Sequence, residues 1–541
     1  MKRTYLLSIP LVLACQQTSD TSLATSRSFL PMAALDNRVA YVDNTSGSAF
    51  LLDPADPALR PRILPTGKSP IVAEKRSGAN QLLVLTHGVE GEVNVEAEPA
   101  RLFVIDPASS DAPTSYDLPG RYDQLAQSDD GAFAVLYYSS SSSAANGYML
   151  YNPNDLAVVT FASGTIRSRP IRSLGSAPSS VSFSPPGSML FGSPRNLAVI
   201  LAANYVTLLD LDNADHKEIT LPLAPNGQQT VTPLQVLFDM AGAAIYVRAD
   251  GSNDIFQVSL APGAPADEAT STTKNDFHVS LSLLGAGSKP MDMAMFDAAD
   301  GSVRLAVAAP DARQLVILDP KTGNATSVST GVPVNQILKF NGRSPKSPDL
   351  EDRAMLWGSG ATTLVFADLQ DVETTKALAI ESWSTSAPVS QVTSLPGNIA
   401  LLSPKGGTSY GSVSLSVVNL ADRTIEPIGS GGTLADVTVE TAAPSRLWGT
   451  DGGNRLEYLD LVDHGQGRLF PGEVILDQPI TSISPLAAPS VVDRKRYLVL
   501  EMEYPTKVGY VTVLDADQPN RKGARSVYGF LLTDYLERGQ P

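Results

Sequence analysis

The sequence predicts an all-β protein, a single β-propeller of four-stranded blades numbering seven to ten. Three observations predict it. Composition comes first: 43% of the 541 residues are hydrophobic and only 18% charged, with 41 Gly and 40 Pro. Such a chain has a large core and frequent turns, and few long surface helices. Second, no segment places apolar residues at helical spacing for three turns, whereas period-two runs bounded by Gly, Pro, Asn and Asp recur throughout. Third, one unit repeats. A short run of β-formers ends in Asp, Asn or Ser at Asp53, Asp106, Asn152, Asp210, Ser259, Asp319, Asp368, Asn419, Asp460 and Asp515. The steps run from 41 to 60 residues and average about 51, the span of a four-stranded blade of the kelch and related kinds.

A second marker keeps phase with the first. Proline opens an alternating strand at Pro70, Pro178, Pro233, Pro290, Pro333, Pro388 and Pro479. Proline suits the first residue of a strand, where no ladder donor is lost. Each unit therefore reads as strand, turn, strand, loop, marker strand, turn, outer strand. One such sheet cannot bury both faces, so the units must stack on neighbours and the last must meet the first. A β-sandwich has similar strands but no reason to repeat one motif at this step. Ten markers exceed the roughly 4 to 8 blades of typical propellers, and the marker at Ser259 is the weakest. Inserted loops are expected at residues 88–100, 139–147, 262–276 and 341–352.

The ends set the domain limits: residues 1–14 as a signal peptide, 15–35 as a lipidated start and tether, and 36–541 as the propeller. Lys2 and Arg3 precede an apolar run from Tyr5 to Leu13, and Ala14 precedes Cys15, the single cysteine of the chain. The run is shorter than the roughly 20 residues of a membrane-spanning helix. Residues 16–34 are rich in Ser and Thr, as in a flexible tether. The first unit begins with Arg38-Val39-Ala40-Tyr41-Val42, which matches a second strand. Its inner strand is expected from the apolar stretch at 529–536, with a short terminal helix as the rival.

Leu11-Val12-Leu13-Ala14-Cys15 resembles the lipobox of bacterial lipoproteins, apart from Leu13, where that family has a smaller residue. The resemblance implies lipidation at Cys15, and Gln16 after the cysteine implies an outer-membrane address in the cell envelope. The alternative is an incidental thiol in an ordinary signal peptide; a lone cysteine forms no internal disulfide. Tyr41-Val42-Asp43-Asn44, Ile245-Tyr246-Val247 and Leu318-Asp319-Pro320-Lys321-Thr322-Gly323 resemble pieces of the YVTN-type repeats of bacterial surface and lactonase-like propellers.

Charge and motifs exclude several function classes. Net charge is −16, and without the first fourteen residues it is −18, with no cluster of Lys and Arg. Nucleic acid is therefore not an expected partner, and membrane contact is expected only through the lipid. His87, His216, His278 and His464 show no zinc-ligand spacing. No Gly-x-Ser-x-Gly run precedes a helix. Asp210, Asp212 and Asp215 offer oxygen ligands within six residues and form a calcium candidate. Against it stands a solvated turn in which Asp and Asn bond the backbone. No other cofactor is implied.

Two residues after the prolines come Val72, Ser180, Gln235, Asp292, Asn335, Ser390 and Thr481, with Asp436 equivalent in the unit without proline. All but Val72 are polar, which makes them candidates to line a central channel. Water is the expected occupant, because polar groups facing a wet tunnel need no further purpose. Solvent-facing Asp292 and Asp436 would be replaceable at a cost of about 0.5 kcal/mol or less. Two functions fit: a non-catalytic envelope lipoprotein presenting its propeller to a protein or glycan, or a lactonase-like hydrolase with Asp292 and Asp436 at the channel mouth. In the second case an inner-strand Glu is expected, and Glu74 is the one near register.

Overall fold

A computed structural model of the protein describes residues 28–89, 97–139, 152, 154–170, 177–213, 215–224, 230–263, 275–342, 351–403, 415–429, 434–440, 446–461, 472–503 and 509–528. Ten four-stranded antiparallel sheets follow one another along the chain, each with its strands in sequential order. These blades span 33–65, 70–117, 124–170, 178–222, 232–285, 292–329, 336–389, 391–428, 436–475 and 480–528. Blade 4 shows the pattern: Pro178–Phe183, Leu197–Ala202, Tyr205–Asp210 and Ile219–Pro222. Its second strand reads LAVILA and is buried throughout, because both of its faces meet a neighbouring blade.

The seams between blades form a closed ring. Among the described residues ten buried apolar clusters are present, and each joins two adjacent blades. Leu82 and Val84 of blade 2 pack with Ala40 and Val42 of blade 1, Val365 and Ala367 of blade 7 with Ala306 and Ile317 of blade 6, and so on around. The last cluster closes the circle, with Val499, Val511, Val513 and Val527 of blade 10 against Val39, Tyr41, Phe50 and Leu52 of blade 1. Each Val or Leu moved out of water there contributes roughly 1.5–3 kcal/mol, so face packing is the main force that closes the ring, joined by the bond from Ala488 N to Asp36 O. First strands of successive blades lie against one another, as in blades 6 and 7 or 9 and 10, which puts them innermost.

Several sequence expectations shift. The inner strand of blade 1 is Ala33–Ala34, paired with Val39 and Ala40, and comes from just upstream rather than from the C-terminal stretch. The stretch 529–536 lies outside the described residues. Residues 28–35, assigned by sequence to the tether, fold against blade 1: Leu30 N donates to Val42 O, and Phe29 packs on Tyr41 and Phe50. Asn152 precedes the third strand of blade 3, Asp155–Thr160, instead of ending it. Pro388 lies in the outermost strand of blade 7, Ile380–Val389. Ser259, the weak marker, does belong to a full blade. Where Pro70, Pro178 and Pro233 open or lead the inner strand, the ladder slips by one residue before position two, a bulge that turns the next side chains.

Strand order also defines two faces. The turns joining first to second and third to fourth strands lie on one face, here the upper. The second-to-third turns and the links between blades lie on the lower face. Asn44 N donates to Ser28 O beside the end of the second strand of blade 1, so the described chain enters at the lower face.

Candidate functional site

The polar inner positions sit at the lower mouth, at or just ahead of the start of the innermost strands, and several of them tie blades together. Gln235 Nε2 donates to Asp292 Oδ1 (2.8 Å) and to Met293 O (2.9 Å), and Arg248 Nε donates to Gln235 Oε1 (3.0 Å). The other oxygen of Asp292 accepts from Ile337 N at 2.7 Å. One chain of bonds thus crosses blades 5, 6 and 7. Glu74 is similarly used, accepting from Gln127 Nε2 of blade 3 at 2.7 Å, and burial raises its pKa. Asp292, half-buried at the start of its strand, is therefore a structural link rather than the freely replaceable group its register suggests. Asp436 is exposed and caps Val437 N at 2.8 Å. Asn335 accepts from Ser359 N, Ser390 N donates to Ser403 O, Ser180 is half-buried opposite Leu201, and Thr481 is exposed at the slip between Ile480 and Ser482.

The marker aspartates have a physical role that the repeat alone did not show. An Arg at or just before the start of the second strand lies across from the Asp at the end of the third. The pairs are Arg38 with Asp53 (3.1 Å), Arg195 with Asp210, Arg304 with Asp319 (3.5 Å), Arg353 with Asp368, and Arg446 with Asp460. Each pair also reaches the third-to-fourth turn of the following blade, at Pro107 O, Asp276, Glu373, Arg423 and Ala516 O respectively. These rivets hold five seams at the upper face. Their sequence signal is an Arg 14 or 15 residues ahead of the marker, a spacing set by two antiparallel strands and their turn.

The calcium candidate dissolves into this scheme as three separate contacts. Asp210 is buried and bonded to Arg195 and to His216 Nδ1 (2.7 Å). Its other oxygen accepts from the backbone N of Asp212 and Asn213. Asp212 instead accepts from Asn196 N (2.7 Å) and Asn196 Nδ2 (3.0 Å), and Asp215 is exposed. The three carboxylates are not brought together. Asp210, His216 and Asp276 do converge, with ligand atoms within 4.8 Å of one another. Arg195 bridges Asp210 and Asp276, so the position a cation would take already carries positive charge. His216 Nε2 faces Asn213 Nδ2 at 2.8 Å, which fits Nδ1–H donated to Asp210.

Two of the seams without such a rivet hold open clefts. Between blades 3 and 4, where Ala132 faces Phe161 and neither Arg nor Asp is present, lies a cleft of about 390 Å³. Between blades 10 and 1, where Tyr497 faces Asp515, lies one of about 490 Å³. Arg525 crosses this second seam from the outermost strand to Pro54 O and Asp56 O. Cys15 and His464 lie outside the described residues. Among the described residues no helix is long and apolar enough to cross a membrane.

No family model matches the chain, and no curated protein matches it. Among solved structures it is similar to the dihydro-heme d1 dehydrogenase NirN in complex with DHE. Identity there is 11% over 81% of this chain and 75% of that one, with a TM-score of 0.37. Apo AztD from Citrobacter koseri is 11% identical over 66% of this chain and 86% of its own, at 0.31. Sqt1 from Saccharomyces cerevisiae is 8% identical over 75% and 97%, at 0.34. The propeller assignment rests on the chain's own sheets and seams.

Proposed function

We propose that the protein is a non-catalytic cell-envelope lipoprotein, anchored through Cys15 in the outer membrane, that presents the upper face of its propeller to a protein or glycan partner. One observation carries this reading. Five strongly exposed large apolar side chains lie in upper-face turns of three separate blades: Met189 and Phe191 in blade 4, Leu378 in blade 7, and Val491 and Val492 in blade 10, each 43–73% exposed. Met189 and Phe191 stand together, as do Val491 and Val492, and such exposed apolar groupings suit an interaction surface; the three other exposed large apolar side chains among the described residues, Leu234, Leu283 and Ile475, lie in strands. Met189 and Phe191 stand on a small hairpin, Met189 paired with Pro194, whose turn residues Phe191 and Gly192 both have positive φ. Such a turn favours Asn-Gly, so a Phe there is kept at a cost in backbone strain. Leu190, 1% exposed, anchors the hairpin in the seam between blades 4 and 5.

The chain entry at the lower face supports the same orientation, since an anchor at Cys15 would draw from the side opposite these tips. The inner polar side chains support a scaffold role over catalysis, because Asp292 and Glu74 are engaged in links between blades. The resemblance to YVTN-type surface propellers points the same way. Photo-crosslinkers placed at Phe191 and Val492, with a lower-face control at exposed Asn44, test the proposal in intact cells. A partner captured from the two upper positions but not from Asn44 is expected. Capture from Asn44 alone would refute it.

A further inference from the structure

The cleft between blades 3 and 4 has a chemistry that its neighbours lack. The outermost strand of blade 3, Thr165–Pro170, places Thr165, Arg167 and Arg169 on the side facing blade 4, since alternate residues share a face. Arg169 donates to His216 O at 2.7 Å, a neutral acceptor, and Arg167 is exposed. Neither guanidinium has a carboxylate within ion-pair distance among the described residues, although Glu218, Asp210 and Asp215 act on Arg169 from farther off; five other arginines in this protein are held in rivets. The opposite wall, from blade 4, is acidic and amide-bearing: Asp212, Asn213 and Asp215. Phe133, Val158 and Leu211 line the cleft as well, and supply its apolar surface.

A ligand for this cleft needs an anionic group on one side, hydroxyl donors on the other and an apolar ring face between. A bare phosphate satisfies only one wall, and an acidic peptide brings further negative charge toward Asp212 and Asp215. A sugar acid satisfies both. On a chain of net charge −16 the general field gives an anion no help, so attraction must come from these two arginines, which are suited to planar recognition of carboxylate or sulfate. We propose that the cleft between blades 3 and 4 is a binding site for an acidic saccharide, its carboxylate or sulfate seated on Arg167 and Arg169 and its hydroxyls on Asp212, Asn213 and Asp215. This deepens the glycan arm of the proposed function and rests on that reading.

The test is calorimetric titration of the whole protein with trigalacturonate, with maltotriose as the neutral control and triglutamate as the acidic peptide. Trigalacturonate should bind in a salt-sensitive manner and at least tenfold tighter than either control. Arg167→Gln, at an exposed residue outside the scaffold bonds, should weaken it at least tenfold without moving the melting temperature. Arg169→Lys provides a second variant that keeps the charge while losing the planar fork. Absence of trigalacturonate binding, equal binding of maltotriose, or tighter binding of triglutamate would overturn the assignment. Trigalacturonate binding left unchanged by Arg167→Gln would remove this cleft as the site while leaving a glycan-binding propeller standing.

Discussion

Asp368 is the residue whose loss the ring should tolerate least. It is shared by two buried arginines of adjacent blades, Arg353 (1% exposed) and Arg423 (5%). Asp368→Asn keeps the shape but removes the charge that both guanidinium groups face. Arg353 then retains Glu351 at 3.3 Å, and Arg423 retains Glu381 at 2.7 Å, itself 40% exposed. Removing one partner of a buried pair costs about 3–5 kcal/mol because the remaining charge stays desolvated. Two arginines lose a partner here while each keeps another, so a loss of about 3–5 kcal/mol is expected from the seam between blades 7 and 8. Urea unfolding followed by tryptophan fluorescence is the assay, because Trp357 and Trp383 both lie in blade 7. Asp319→Asn is the control: Arg304 is 11% exposed, Asp319 is 14% exposed, and Glu373 remains at 3.4 Å. It should cost about 1.5–3 kcal/mol, the range for a hydrogen bond to a charged group. A loss under about 1 kcal/mol at Asp368, or equal losses at both sites, would refute the reasoning.

Four further outcomes are expected. Phe191→Asn should raise the melting temperature, since relief of left-handed strain is worth about 1 kcal/mol, and should reduce crosslinking from Val492; a lower melting temperature would show that the Phe191 ring is a packing element. Burial raises the Glu501 pKa, so the unfolded chain ionises this group first and its contribution to stability is lost as pH rises through the folded value. Glu501→Gln should therefore increase stability at pH 7 relative to pH 5, and an unchanged pH profile by thermal melts would count against a buried carboxyl at the closing seam. Asp292→Ala should cost about 1.5–3 kcal/mol, for the loss of hydrogen bonds to a charged group, whereas Asp436→Ala should stay within about 0.5 kcal/mol; parallel urea titrations separate the two. Cys15→Ser should release the protein from the membrane fraction or leave the precursor uncut, and a processed variant that still sediments with membranes at high salt would show that anchoring does not run through this residue.

The repeat was legible because each blade must satisfy the same local physics. Short apolar runs such as LAVILA at 197–202, turn residues at fixed offsets and a recurring terminal Asp are all written within about 50 residues of chain. Blade number was legible only as a range of seven to ten, and Ser259 shows why the structure reaches ten: its strand folds because Ile255, Phe256 and Val258 are apolar, whatever residue ends it. Asn152 misled for the same local reason, since an Asn-Pro turn reads alike before a strand and after one.

What only the tertiary structure decided are relations between blades, because no short window of sequence contains both partners. Asp292 looked like a channel residue by register, yet Gln235 and Ile337, 57 and 45 residues away, make it a link. Asp210 looked like a calcium ligand beside Asp212 and Asp215, yet a neighbouring arginine and His216 claim it. Closure also lay beyond the sequence pattern. The sequence pattern points to the far end of the chain for the inner strand of blade 1, while two alanines at 33–34 suffice, because buried faces at the last seam and not a shared strand hold the ring shut. Sequence by itself thus determined the blade, a local object made of hydrogen-bonded strands, and tertiary structure determined the seams, where side chains from distant segments compete for the same buried charge and apolar surface.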